Sequence, residues 1–325
     1  MAQMQAYVIH EPGDRDRLQL QTVNRPEWKP GWVLIRNRAF GLNRAEWFTR
    51  KGASPSVRFP RIIGIECCGE VVQHDDARLK EGQKVVAMMG GMGRDFDGSY
   101  AEFALVPKSS VYPIQANLDW ETIAALPEML QTTHGSLFNA LEVDRMNNLL
   151  VSGGTSSIGL CALALGKHAQ KEVTVTSRSE EKTQELKDLG ADHVLVDDGQ
   201  LAEKVSRVHA QGFDCVLELV GTTTLADSLA CVKPGGIVCM TGILGGKWAL
   251  ESFEPMTAIP STVKLTAYSG EASDISAEQL QNYLELVEQG RLQIKTGPIF
   301  PFSELKEAHR LMDENRMAGK MVVVM

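Results

Sequence analysis

Residues 149–166 read LLVSGGTSSIGLCALALG: an apolar run, a cluster of glycines and hydroxyls, then a second apolar run with helical spacing. Glycines at such a corner have a plain explanation, since a buried strand feeding a helix needs backbone angles that other residues resist. The spacing of Gly154, Ser156 and Gly159 adds to it, because it fits the phosphate-binding pattern G-x-G-x-x-G with serine in place of the middle glycine. The next segment of the chain favours the second reading. Residues 173–176 (VTVT) are β-branched throughout, as a strand buried on both faces should be, and they arrive one helix-length after the turn. The unit is therefore strand, turn, helix, strand. It puts the N–H groups of Thr155, Ser156, Ser157 and Ile158 at the amino end of the helix, where unpaired donors and the helix dipole favour an anion. A diphosphate cradled from Gly154 to Ile158 is the expectation.

The end of the second strand reports which dinucleotide. A carboxylate about 20 residues past the glycines bonds the ribose of NAD and repels a 2′-phosphate. Here the chain reads SRSEEK, with Ser177 and Arg178 where that acid is expected and Lys182 one turn further on. Arginine matches a phosphate with two parallel hydrogen bonds, and lysine adds a point charge. This points to NADPH ahead of NADH. The alternative is a solvated helix start in which Glu180 and Glu181 serve the helix dipole.

The same rhythm continues. A helix closes at residues 186–190, a strand follows at 193–196, a helix at 201–210, and FDCVLELVG at 213–221 is a buried strand ending in glycine. Residues 225–232 read as helix, KPGG (233–236) as a turn, and 237–240 as a strand running into Thr241 and Gly242. Alternation of this kind implies a doubly wound parallel sheet with its ligand at the carboxyl ends of the strands. Gly221 and Gly242 stand at two of those ends; their roles are plain turn geometry or close approach of a nicotinamide ribose to the backbone.

A chain of 325 residues exceeds one ordinary core and suggests two domains. With 43% hydrophobic and 23% charged residues it has a globular composition, and no apolar run is long enough to span a membrane. The start, MAQMQAYVIHEPGD, lacks the basic and apolar segments of a secretory signal, so a cytoplasmic protein is expected. A net charge of −8 argues against nucleic acid as the main partner. The six cysteines form no C-x-x-C pair: Cys67 and Cys68 read as a buried strand, and Cys161, Cys215, Cys231 and Cys239 lie in apolar runs. The seven histidines are scattered, so no metal is expected.

Before Asp119 the texture changes to short alternating strands at 32–38, 62–72, 84–88 and 99–106, separated by Pro and Gly turns, which reads as an antiparallel, barrel-like domain. The tail from Ser276 holds helices at 278–289 and 302–315 and a terminal strand at 320–324.

These pieces, in this order, carry a family resemblance. FGLNRAEW with Gly41, Leu42 and Asn43, the element Arg50–x–Gly52, PRIIGIECCGEVV with Gly64 and Glu66, GQKVVAM at 82–88, GSYAEFALVP at 98–107, AALPEMLQTTHGSL at 124–137, the glycine turn at 153–159, EEKTQELKDLGADHVL at 180–195 and the final AGKMVVVM form one set. Over essentially its full length the chain resembles the medium-chain dehydrogenase/reductase superfamily, in its zinc-independent quinone oxidoreductase-like branch. The resemblance implies an α/β fold: a doubly wound parallel Rossmann sheet plus a β-rich GroES-like barrel domain. It assigns residues 1–118 and 265–325 to the catalytic domain and 119–264 to the dinucleotide-binding domain. Zinc members carry a cysteine at Asn43 and a histidine at Ile65, and neither stands here; the branch's tyrosine near Ser54 is also missing.

By the same resemblance Asn43 lies by the nicotinamide and can donate to substrate or cofactor, its other role being to cap the helix that starts near Arg44. Thr132 resembles a threonine that approaches the cofactor, or is a helix hydroxyl bonding its own backbone. Glu66 reads as a buried acid paired with a cation, His134 as a packing residue, and Arg316 and Lys320 as tail cations that reach the cofactor. The implied activity is NADPH-dependent reduction of quinones or α,β-unsaturated carbonyls, small-molecule substrates, by hydride transfer without a metal. A homodimer is expected, with neither nucleic acid nor membrane as partner. The alternatives are an enoyl-thioester reductase and a non-catalytic nucleotide-binding protein on the same scaffold.

Overall fold

The computed structural model describes residues 2–314 and 319–325; Arg316 and the predicted helix end at Asn315 lie outside them. The chain forms two compact units, Met1–Gln131, Glu271–Gln289 and Thr296–Met325 in the first, Thr132–Gly270 and Gly290–Lys295 in the second. The first unit opens with strands β1 (Gln3–Val8), β2 (Gln19–Asn24), β3 (Trp32–Gly41), β4 (Glu66–Gln73), β5 (Lys84–Met88), β6 (Phe103–Pro107) and β7 (Val111–Pro113). The second holds β8 (Asn148–Ser152), β9 (Glu172–Ser177), β10 (His193–Val196), β11 (Phe213–Glu218), β12 (Val232–Met240) and β13 (Lys264–Ala267). The chain then returns to the first unit for β14 (Thr296–Pro301) and β15 (Lys320–Val324).

The second unit is built on one six-stranded sheet in the order β10-β9-β8-β11-β12-β13, with every neighbouring pair parallel. The strand that comes first in sequence lies inside, and its successors fan out to both sides. The winding therefore reverses between β8 and β11, the crevice where doubly wound sheets take their ligands. All four residues of VTVT in β9 are buried, so both faces of the sheet are covered as their β-branching predicts. The core on one side gathers Leu150, Phe213, Val216, Leu229 and Val238, each completely shielded. Burial of such side chains contributes about 1.5–3 kcal/mol apiece before chain entropy is set against it. The predicted KPGG turn is present inside β12 as an excursion: Phe213 faces Val232 and Cys215 faces Ile237, so the ladder skips residues 233–236.

In the first unit β3 is the spine. One edge pairs with β4; the other is shared, its first half with β6 and its last residues with β15. The seven-stranded sheet runs β14-β15-β3-β4-β5-β7 with β6 also on β3, and β1 and β2 form a separate hairpin. Phe40, Tyr100, Ile35 and Met92 are among its fully buried side chains. Two strands are shorter than the sequence pattern suggests. Residues 62–64 leave the ladder to bond residues 98–100, with Gly98 N on Ile62 O at 2.7 Å and Tyr100 N on Ile63 O at 3.0 Å. Gly64 makes that departure possible with a φ of 109°. The tail helices run Ala277–Glu288, capped by Ser276, and Leu305–Asp313, preceded by the 3₁₀ turn Phe302–Glu304.

The topology of the first unit brings three strand ends together. Since β4 and β15 both run antiparallel to β3, the end of β3 meets the start of each, with Ala39 opposite Cys68 and Gly41 opposite Val322. Asn43, Glu66 and Lys320 therefore converge. Gly41 sits at the centre, where a Cβ would lie 2.6 Å from Lys320 Cε and 2.7 Å from Ala124 O.

Candidate functional site

In the second unit the opening stretch folds as a strand, a turn and the helix Ser157–His168. Ser156 caps the helix: its Oγ accepts from Gly159 N at 3.0 Å and donates to Gly153 O at 2.8 Å. The first bond inside the helix runs from Leu160 N to Ser156 O at 2.8 Å, so the N–H groups of Ser157 and Ile158 have no helical acceptor. The turn is pinned to β9 by Gly153 N on Thr176 Oγ1 (3.0 Å) and Gly154 N on Thr176 O (3.0 Å). A Cβ on Gly154 would meet Val175 Cβ at 2.7 Å, and one on Gly159 would meet Gly154 Cα at 2.8 Å. The outer glycines thus serve close packing of helix on strand, while Thr155, Ser157 and Ile158 line the open amino end of the helix. Unpaired N–H donors at a helix amino end are the kind of donor set that suits a diphosphate.

At the carboxyl end of β9, Ser177 turns inward and bonds its own turn, donating to Ser179 O at 2.9 Å. Arg178 is exposed and unpaired among the described residues. Lys182 donates to Glu185 Oε2 at 2.9 Å, and Lys295 pairs with the same carboxylate, so Lys182 is half neutralised where Arg178 is not. Both cations foreseen from SRSEEK thus stand at the start of the helix that follows β9, Lys182 held by a carboxylate and Arg178 open among the described residues. Gly221 adopts a φ of 104°, and a Cβ there would lie 2.9 Å from Gly242 O. Their turns touch, at the ends of β11 and β12. The carbonyl of Thr132 accepts from Ser136 Oγ (2.7 Å), which also bonds Thr241 Oγ1 at 2.9 Å, tying Thr132 to the end of β12. His134 packs tilted against Phe138, with ring centroids 4.8 Å apart, and burial lowers its pKa.

In the first unit the site is a buried polar cluster. Lys320 Nζ pairs with Glu66 Oε1 at 2.6 Å and Glu128 Oε2 at 3.0 Å, and donates to Asn43 Oδ1. Asn43 Nδ2 donates to Glu66 Oε1 (2.9 Å) and Glu46 Oε1 (3.3 Å); Glu46 also accepts from Asn43 N and from Ile65 N (3.1 Å). Glu128 N donates to Glu66 Oε2 at 2.9 Å. Asn43 caps the helix Arg44–Arg50 through a capping box with Glu46, and both ends of its carboxamide are in use. A donation from Asn43 to a substrate would have to displace its bond to Glu46. Lys320, expected to reach the cofactor, has a completely buried side chain whose three N–H directions are spent on this cluster, because two acids in an apolar interior demand a counter-ion. Burial alone would lower its pKa, but Glu128 and Glu66 outweigh it and the net shift is upward. Burial raises Glu66, and lifts Glu46 to about 7.

These residues do not fit zinc. An ion held by Glu66 would face an ammonium already at 2.6 Å, Asn43 has no unused donor atom for a metal, and Ile65 offers none. The six cysteines are buried and unbonded to one another, and burial pushes Cys215 and Cys231 up to about 12, as suits small hydrophobes. Motif reading missed Glu46, Glu128 and Glu218. Glu46 alone carried a signal, standing three residues after Asn43 at capping-box spacing.

A six-stranded doubly wound sheet with a glycine turn at its switch point, in a chain that also carries a β-rich unit, defines a nucleotide-binding fold. Comparison with known proteins agrees. Residues 29–116 match the alcohol dehydrogenase GroES-like domain, and residues 189–323 match the family described as zinc-binding dehydrogenase. The chain is 28% identical to a zinc-type alcohol dehydrogenase-like protein of Schizosaccharomyces pombe, over 98% of each chain. It is 26% identical to a quinone oxidoreductase of Lama guanicoe, covering 99% of this chain and 98% of that one. A mycobacterial protein solved in complex with NADPH superposes with a TM-score of 0.85 at 26% identity, covering 99% of this chain and all of the other. The chain belongs to the medium-chain dehydrogenase/reductase superfamily, in its quinone oxidoreductase-like branch.

Proposed function

We propose that the protein is an NADPH-dependent reductase of quinones or α,β-unsaturated carbonyls that works without a metal. The observation that carries the cofactor choice is Arg178, an exposed guanidinium, unpaired among the described residues, at the carboxyl end of β9 in the position where an NAD-binding chain carries an acid. The Gly154–Ile158 turn would hold the diphosphate through its unpaired N–H groups, Arg178 and Lys182 the 2′-phosphate, and the turns at Gly221 and Gly242 the nicotinamide ribose, with Thr132 beside them. Bound there, NADPH supplies a hydride, and the reduced acceptor takes its proton from solvent. The chain's part is to position, exclude water and offer polar groups near developing charge. The buried cluster around Asn43 supports that reading, since it gives the first unit a fixed polar framework in place of a metal centre. The name of the guanaco relative supports the acceptor class. The expected homodimer belongs to the same proposal.

Oxidation of NADPH against a panel of quinones, enones and enoyl thioesters tests the activity. Turnover of the first two classes is expected. Turnover of enoyl thioesters alone would shift the substrate class, and saturable NADPH binding with no turnover on any member would favour a non-catalytic binder. Arg178→Ala should raise KM for NADPH about tenfold or more and change that for NADH less than about twofold. An equal effect on both would sink the 2′-phosphate assignment.

A further inference from the structure

Glu218 ends β11 beside β8, at the crevice where the winding of the sheet reverses, and it is completely buried. Its Oε1 accepts from the N–H groups of Val220 (2.6 Å) and Gly221 (2.8 Å) and from the hydroxyl of Ser152 (3.3 Å) at the end of β8. Its Oε2 accepts from Ser228 Oγ at 2.5 Å. Its main-chain carbonyl accepts from Thr241 N (2.9 Å) and Gly242 N (3.2 Å), just beyond β12. One residue therefore ties together the ends of three adjacent strands and both glycine turns of the proposed ribose site.

A purely structural role explains this poorly. Shielding a carboxylate from water without a cation among its partners is unfavourable, and an apolar residue would serve the core better. Burial raises its pKa accordingly, against the opposing pull of Ser228, Gly221, Thr224 and Val220. What the carboxylate secures is the shape of the turns, not the ladder of the sheet. Without the carboxylate the N–H groups of Val220 and Gly221, just beyond β11, would lose their acceptor. The contact between the turns leaves little freedom, since a Cβ on Gly221 would stand 3.2 Å from Ile243 Cα.

We infer that Glu218 is a positioning residue for the nicotinamide half of the cofactor cleft, holding the turns at 220–221 and 241–242 at the separation that admits the ring and its ribose. This rests on the NADPH reading. The test measures dissociation constants of NADPH and of 2′,5′-ADP, which carries the adenosine and 2′-phosphate but no nicotinamide, for wild type, Glu218→Ala and Glu218→Gln. Glu218→Ala should weaken NADPH about tenfold or more and leave 2′,5′-ADP within about twofold. Glu218→Gln, whose carboxamide oxygen still accepts from both N–H groups, should recover NADPH affinity to within about threefold of wild type. Where the alanine variant does not fold, Ser152→Ala combined with Ser228→Ala removes the two hydroxyl partners and should weaken NADPH alone by about threefold or more. Equal losses for both ligands, no loss for either, or a glutamine variant no better than alanine would overturn the assignment. Failure of the wild type to bind either nucleotide would instead overturn the cofactor reading, and this inference with it.

Discussion

Glu46 shows what burial does to a single carboxyl. It lies against Asn43 and Ile65, with Lys320, Glu66 and Tyr100 as its charged or titratable surroundings, and desolvation, opposed by Lys320, lifts its pKa from an ordinary 4.5 to about 7. Between those values the folded protein holds a proton that the unfolded chain has released. Stability from this group is therefore greatest below pH 4.5 and is lost as pH rises through about 7. From pH 5 to pH 8 the loss amounts to about 2 kcal/mol. Glu46→Gln should flatten the pH dependence of urea denaturation over that interval by about the same amount, and an unaltered slope would show that Glu46 titrates normally. Lys320→Ala leaves Glu66 and Glu128 buried without their cation and should cost about 3–5 kcal/mol, read as a lowered midpoint in the same denaturation experiment. Arg178 could be singled out from the sequence because its candidacy rests on a local residue type at a fixed distance from the turn. Glu128 and Glu218 were not, because each acquires its partners only when segments far apart in sequence meet.

At the scale of elements, hydrophobic period and glycine spacing placed the strand, turn and helix of residues 148–168 and each later strand as far as β12. The boundaries moved where backbone groups bond outside a ladder, as at residues 62–64, and where a bulge hides a turn inside a strand, as at 233–236. The sixth strand, β13, and the hairpin of β1 and β2 carry no periodic signature strong enough to announce them. The packing of the helix Ser157–His168 on its own turn gives a sharp prediction. Because a Cβ on Gly159 would press on Gly154 Cα at 2.8 Å, Gly159→Ala must push the helix away from the cradle. It should weaken NADPH binding about tenfold in a fluorescence titration and destabilise the fold by about 1–3 kcal/mol.

For the whole molecule the expectations concern ligand and metal. NADPH at about 100 times its dissociation constant should stabilise the protein by about 2.7 kcal/mol, seen as a rise of several degrees in melting temperature, while NADH at the same concentration should do less. Dialysis against EDTA should leave NADPH-dependent turnover unchanged; activity lost to the chelator and restored by zinc would contradict the donor chemistry around Lys320. The sequence by itself determined the kind of sheet, the glycine turn into its helix and the lack of Cys at 43 and His at 65, since each depends on residue type at short range: backbone angles that only glycine tolerates, β-branched runs that need two covered faces, side chains that lack a donor atom. Tertiary structure decided the partners of the acids and of Lys320. A buried charge is fixed by what surrounds it in space, and the neighbours of Glu66, Glu128 and Lys320 come from chain segments that only the antiparallel pairing of β4 and β15 with β3 brings to one point.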